Sequence, residues 1–143
     1  MNEPRPAPDS DLQEPQIRAL FVALDHAGEL SGATPKPGRV VRGEAGREAL
    51  GTRVRFSLRL AEGRVAAVRY RAYGCPHTLA TCEWLARQIE GCAFAGGEFP
   101  GGALEAIGVG NPLEWSERLG LPPAKLGRLL VIEDALQAAL AQA

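Results

Sequence analysis

No apolar run in this chain approaches the roughly 20 residues needed to span a bilayer, so no transmembrane segment is expected. Neither charge is in excess: 16 basic residues against 17 acidic leave a net −1 and no overall field toward nucleic acid or a membrane surface. Aromatics make up only 6%, which leaves few rings for stacking bases. Cysteine occurs three times, with six and nine residues intervening, and this lacks the paired two-residue spacing of zinc ribbons. The stretch to Pro15 carries Pro4, Pro6, Pro8 and Pro15 among acids and has no apolar signal-peptide core. Without an export signal the three cysteines read as reduced thiols in a cytoplasm. The words of a nucleophile elbow, a phosphate loop and a dinucleotide glycine turn are all missing, which argues against the commoner hydrolases and transferases.

What is there suits one globular domain: 143 residues, 45% hydrophobic and 23% charged. Its organising stretch is Arg71-Ala-Tyr-Gly-Cys-Pro-His-Thr-Leu-Ala80. Upstream, Ala66, Val68, Tyr70 and Ala72 alternate with Ala67, Arg69, Arg71 and Tyr73, the period of a half-buried strand. Downstream, Leu79, Cys82, Ala86 and Ile89 recur at helical steps, predicting a helix from Pro76 to about Glu90. Gly74 frees the chain to turn, and Pro76 suits the first helical position. Cys75 therefore falls at or beside the N-cap, where unpaired amides and the helix dipole favour a thiolate. It reads either as a reactive thiol or metal ligand, or as a small buried hydrophobe.

Taken in order, residues 1–14 read as a Pro-rich tail and 15–143 as a single domain. Ile17, Leu20, Phe21 and Leu24 predict a helix ending near Gly28, with His26 a cation in its last turn rather than a metal ligand. Leu30 to Gly51 is rich in glycine and proline and reads as loop, apart from a short edge strand at Arg39-Val-Val-Arg42. Val54, Phe56, Leu58 and Leu60 then face one way, and Arg53, Arg55, Ser57 and Arg59 the other. Joined through Ala61-Glu62-Gly63 to the next strand, they form an antiparallel hairpin. Its basic face reads as the solvated side of a sheet, with a dock for an acidic partner as the alternative. Short helices are expected at Ala103–Ile107 and Pro112–Leu119. Leu126, Leu129, Leu130, Leu136 and Leu140 predict a last helix running almost to Ala143. The order of elements gives α+β, with about three antiparallel strands, helices on one face and a long C-terminal helix. Cys82 lies on the apolar stripe and reads as core. Cys92 sits in a glycine-rich turn and reads as exposed. Cys75 and His77, neighbours across a helix start, make a poor nucleophile–base pair, so a thiol enzyme built on them is the least favoured class.

From about Gly51 to its end the chain resembles the U-type iron–sulfur cluster assembly scaffolds, IscU and the N-terminal domain of NifU. Tyr73-Gly74-Cys75 is similar to the family's word at the strand-to-helix junction. Leu79-Ala80-Thr81 and Gly91 are similar to the following helix and its stop. Leu121-Pro122-Pro123-Ala124-Lys125 resembles the word through which a dedicated heat-shock chaperone recognises the scaffold, and Glu133-Asp134-Ala135-Leu136 follows the terminal helix. The resemblance implies the family's fold, a non-enzymatic assembly role, a cysteine desulfurase and the chaperone as partners, and iron or a 2Fe–2S cluster as what is held.

The ligand set departs from the pattern. By the resemblance, Leu50-Gly51-Thr52 stands where the family has Cys-Gly-Asp, and Gly127-Arg128 where it has His-Cys, so Leu50, Thr52, Gly127 and Arg128 are lost ligand positions. Cys75 is the single retained ligand position. A cluster needs four ligands, mostly thiolates, and one thiolate per chain does not supply them. Arg128 is expected near Cys75, repelling iron and stabilising a thiolate. These residues imply a diverged scaffold-like protein that accepts sulfur or assists assembly, with a non-catalytic interaction module as the alternative.

Overall fold

Alternating apolar residues in two consecutive strands require a partner layer on one side only, and the helices supply it. The computed structural model describes residues 15–31, 38–93 and 108–142. Helix α1 (Pro15–Phe21) is followed by strands β1 (Arg39–Arg47), β2 (Thr52–Ala61) and β3 (Arg64–Tyr73). Then come helices α2 (Pro76–Ile89), α3 (Pro112–Leu119) and α4 (Leu126–Leu140), with single 3-10 turns at Glu48–Leu50 and Pro123–Lys125. The sheet is antiparallel in the order β1-β2-β3. Val54, Phe56 and Leu58 of β2 are fully buried with Val68 and Tyr70 of β3, under Leu85 and Ile89 of α2 and Ile132 and Leu136 of α4. This is the α+β arrangement expected.

The hairpin turn places Glu62 at φ 55° and Gly63 at φ 72°, two left-handed residues of the kind a two-residue hairpin needs. Just beyond it the register slips between Arg59 and Leu60. The slip buries Val65 and turns Ala66 outward, so the inward set of β3 is Val65, Val68 and Tyr70. Alternation alone puts Ala66 inward because it assumes no bulge.

Four expectations need correction. Helix α1 stops at Phe21 rather than near Gly28, because the backbone of His26 and Gly28 is drawn onto the edge of β3. Tyr70 N donates to His26 O at 3.1 Å, and Gly28 N donates to Tyr70 O at 2.8 Å. Strand β1 runs nine residues instead of four, since β2 offers a full-length partner from Arg39↔Leu60 to Arg47↔Thr52. The basic face of the sheet is not uniformly wet. Ser57 and Arg59 are buried there, and Leu30 N donates to the Ser57 hydroxyl at 3.1 Å. Leu130 of the terminal stripe is 47% exposed, whereas Ile132, Ala135 and Ala139 are buried in its stead. Helix α3 and the N-terminus of α2 fall where expected. The tail at 1–14, the short helix at Ala103–Ile107 and the final Ala143 lie outside the described residues.

His26 is held by carboxylates rather than by a helix end. Its Nδ1 lies 2.7 Å from Glu83 and its Nε2 3.1 Å from Glu90. Glu83 is fully buried and also accepts from the His26 amide, the Tyr70 hydroxyl and Arg87 Nε. Burial works against the imidazolium, but the two glutamates outweigh it and raise the His26 pKa above 6.5. A raised folded pKa adds stability that is complete below the unfolded value and lost as pH rises through the folded one. The stability gap between wild type and His26→Gln should therefore be widest near about pH 6 and narrow toward alkaline pH. Urea unfolding of both proteins across that range checks this, and a gap constant with pH would contradict it.

Candidate functional site

Strand β3 ends at Tyr73 on the sheet's rim, and Gly74-Cys75 turns the chain into α2. Cys75 is the N-cap, extended at φ −78° and ψ 169°, with Pro76 opening the helix. Its side chain makes no cap hydrogen bond, so the sulfur is left to other partners. Thr78 Oγ1 lies 3.5 Å from Cys75 Sγ, and Lys125 Nζ donates to the same sulfur at 3.7 Å. Lys125 reaches it from the 3-10 turn Pro123–Lys125, which delivers the chain into α4. Half-burial pushes the thiol up, but hydrogen bonds from His77 and Thr78 and the Lys125 ammonium outweigh it. The net result is a thiol lowered to about 6, largely ionised at neutral pH.

The other two thiols differ. Cys82 is fully buried on the inner face of α2, where burial pushes its thiol far up, and it packs as core. Cys92 is half-buried and donates to the Gln88 carbonyl at 3.0 Å.

The sheet register brings a second segment to this end of the molecule. Arg53 pairs with Tyr73, so Leu50-Gly51-Thr52, at the start of β2, lies beside the end of β3 that leads into Cys75. Leu50 is 79% exposed, and Thr52 is buried. Gly127 and Arg128 stand on the first turn of α4, immediately after Lys125. The Cys75 and Lys125 turns meet here, with Leu50-Gly51-Thr52 beside the first in the sheet and Gly127 and Arg128 following the second in the chain. The donors needed by iron do not. Leucine, glycine and arginine offer no ligand atom, a cation occupies the sulfur, and no group of three His, Cys, Asp or Glu able to hold a metal occurs among the described residues. This side-chain set does not fit a cluster held by four ligands.

The structure moves one role. The cation on the sulfur is Lys125, three residues before Arg128, whose buried Nε has no hydrogen-bond partner among the described residues. Of the chaperone-like word, Pro122, Pro123 and Ala124 are exposed, while Leu121 is buried and Lys125 half-buried toward Cys75. Sequence reasoning missed Thr78 as a partner of the sulfur. Its position three residues after an N-cap was the available signal, since that spacing returns a side chain to the cap. His77 is buried, with its carbonyl accepting from Thr81 at 2.7 Å. No helix of the described residues is long and apolar enough to cross a membrane.

Comparison with known proteins gives three findings. Residues 14–142 match the family described as the NifU-like N-terminal domain. The chain is 35% identical over 127 residues to the bifunctional protein NifU/MnmA of Rubrobacter xylanophilus, covering 87% of this chain and only 23% of that relative's length. Two crystal structures share the fold at low identity. One is described as an iron–sulfur cluster assembly scaffold for the SUF system of Fervidobacterium islandicum, with TM-score 0.61, 15% identity and coverage of 90% and 96% of the two chains. The other is the N-terminal part of a NifU-like protein from Brucella abortus, with TM-score 0.59, 16% identity and coverage of 95% and 96%.

Proposed function

This chain belongs to the family of NifU-like N-terminal domains, and from that premise we propose that it serves iron–sulfur cluster assembly as a one-thiol sulfur acceptor, not as a cluster-holding scaffold. The observation that carries the reading is the Cys75–Lys125 contact at 3.7 Å, at a pole whose other positions lack metal donors. A thiolate beside an ammonium is arranged to attack an electrophilic sulfur and to keep the anion formed.

The donor is a persulfide on a cysteine desulfurase, the partner the family resemblance implies. Cys75 Sγ attacks the outer sulfur of that persulfide, and a new Sγ–S bond forms as the donor's S–S bond breaks. The electron pair leaves on the donor's cysteine as a thiolate, and the proton of the outer sulfur passes to solvent. Lys125 then faces the persulfide anion on Cys75. The transfer is stoichiometric, so the protein is an accessory and not an enzyme. Pro122, Pro123 and Ala124, exposed on the turn leading to Lys125, are the surface offered to a heat-shock chaperone.

Incubation with a cysteine desulfurase and cysteine should add one sulfur atom to the Cys75 peptide, read by mass spectrometry after thiol blocking. Cys75→Ser should remove that species and leave Cys82 and Cys92 unlabelled. Failure of Cys75 to gain sulfur would favour an interaction module on the same fold.

A further inference from the structure

On the face of the sheet away from the helices, one carboxylate is held by all three strands. Glu29 receives Arg71 Nε of β3 at 3.0 Å, Arg55 Nη1 of β2 at 3.1 Å and Arg42 Nε of β1 at 3.4 Å. Three guanidiniums exceed what a single surface carboxylate needs as an anchor. The segment carrying Glu29 is already secured by other means: Leu30 N to Ser57, Arg42 Nη2 to the Leu30 carbonyl at 2.7 Å, and His26 to Glu83 and Glu90. Space adjoins the carboxylate on two sides. Glu29 borders a cleft of about 350 Å³ that runs past Arg53, Arg55 and Arg71 to Tyr73, and another of about 540 Å³ beside Arg42 and Gln142.

We propose that this arginine cradle is a docking site for an acidic, extended segment of a partner protein, and that the chain's own Glu29 fills and masks it. Across the strands Arg42, Arg53, Arg55 and Arg71 face Glu29, Glu44 and Glu48, so the face is close to neutral while Glu29 is seated. Withdrawal of Glu29 leaves Arg42 and Arg71 without an ion-pair partner among the carboxylates of this cradle. Exposed ion pairs contribute little and are screened by salt, so a partner presenting several carboxylates displaces Glu29 without disturbing the fold. A carboxylate carried by a segment outside any helix or strand is what sits there now, which favours an acidic peptide over a phosphate-bearing polyanion. The first cleft ends at Tyr73, two residues before Cys75, so a segment docked there lies near the thiol.

The test uses the full chain and a fluorescein-labelled deca-glutamate peptide, followed by anisotropy at low salt. Glu29→Gln should bind the peptide about tenfold more tightly than wild type. Adding Arg55→Gln and Arg71→Gln to that variant should abolish the gain. Because Arg71 is well exposed, Arg71→Gln alone serves as a variant that keeps the fold, and it should weaken binding in wild type. Equal affinity of wild type and Glu29→Gln would overturn the masking. A gain that survives loss of both arginines, or binding of short polyphosphate but not deca-glutamate, would overturn the site.

Discussion

Alkylation of Cys75 by iodoacetamide is expected to reach half its limiting rate near pH 6, far below an ordinary thiol. Burial alone would move the midpoint the other way, so the profile tests whether His77, Thr78 and Lys125 together outweigh it. Lys125→Met should raise the midpoint, by less than loss of the Thr78 hydrogen bonds would, since the ammonium at 3.7 Å is the smallest of the contributions. Lys125→Arg should restore most of the shift. Arg128→Ala should leave the profile where it is, because Lys125 is the cation in contact with the sulfur. A midpoint unmoved by Lys125→Met would remove the ion pair from the site. A midpoint moved by Arg128→Ala would return the role to the residue that the sequence first suggested.

The second large effect is on stability and lies far from the thiol. Gly43 is buried in β1 under α4, and a Cβ there would stand 2.1 Å from Ala139 N and 2.3 Å from Ala135 O. Both obstacles are helix backbone, which has no rotamer with which to yield. Gly43→Val should therefore push α4 off the sheet and cost about 3 kcal/mol or more. For a domain of this size that is a fall in Tm of about 10 °C. Gly127 makes the contrast: open space surrounds it in the first turn of α4, so Gly127→Ala should be neutral or stabilising by about 0.5 kcal/mol. Thermal unfolding of the two variants beside wild type checks both. A Gly43→Val protein as stable as wild type would mean that α4 does not lie where β1 places it.

Gly43 also shows why part of the fold was illegible. In sequence it reads as a breaker, and with Gly46 it shortens the expected strand to Arg39–Arg42. In space its lack of a side chain is what lets a helix lie on the strand, a reason that exists only once the helix is there. The β2–β3 hairpin and α2 were legible because alternation and helical period are local, and Val54, Phe56 and Leu58 announce their burial without a partner. His26 was misplaced for the opposite reason. Its partners Glu83 and Glu90 lie 57 and 64 residues away, and nothing local distinguishes them from surface acids.

The site divides the same way. Cys75 at the helix start could be read from Gly74 and Pro76 alone. That Lys125 reaches its sulfur could not, because 50 residues separate them and the word around Lys125 suggested a chaperone. That Leu50, Thr52, Gly127 and Arg128 stand at ligand positions rests on family resemblance; the register sets Leu50-Gly51-Thr52 beside the end of β3, and Gly127 and Arg128 follow Lys125 in the chain.

The most direct measurement is iron and acid-labile sulfide content, with visible absorbance, after anaerobic incubation with a cysteine desulfurase, cysteine and ferrous iron. A single thiolate beside Lys125 predicts a colourless protein that carries sulfur on Cys75 and retains no stoichiometric iron after desalting. A stable chromophore with bound iron and sulfide, lost in Cys75→Ser, would contradict this and show that other groups complete a cluster site.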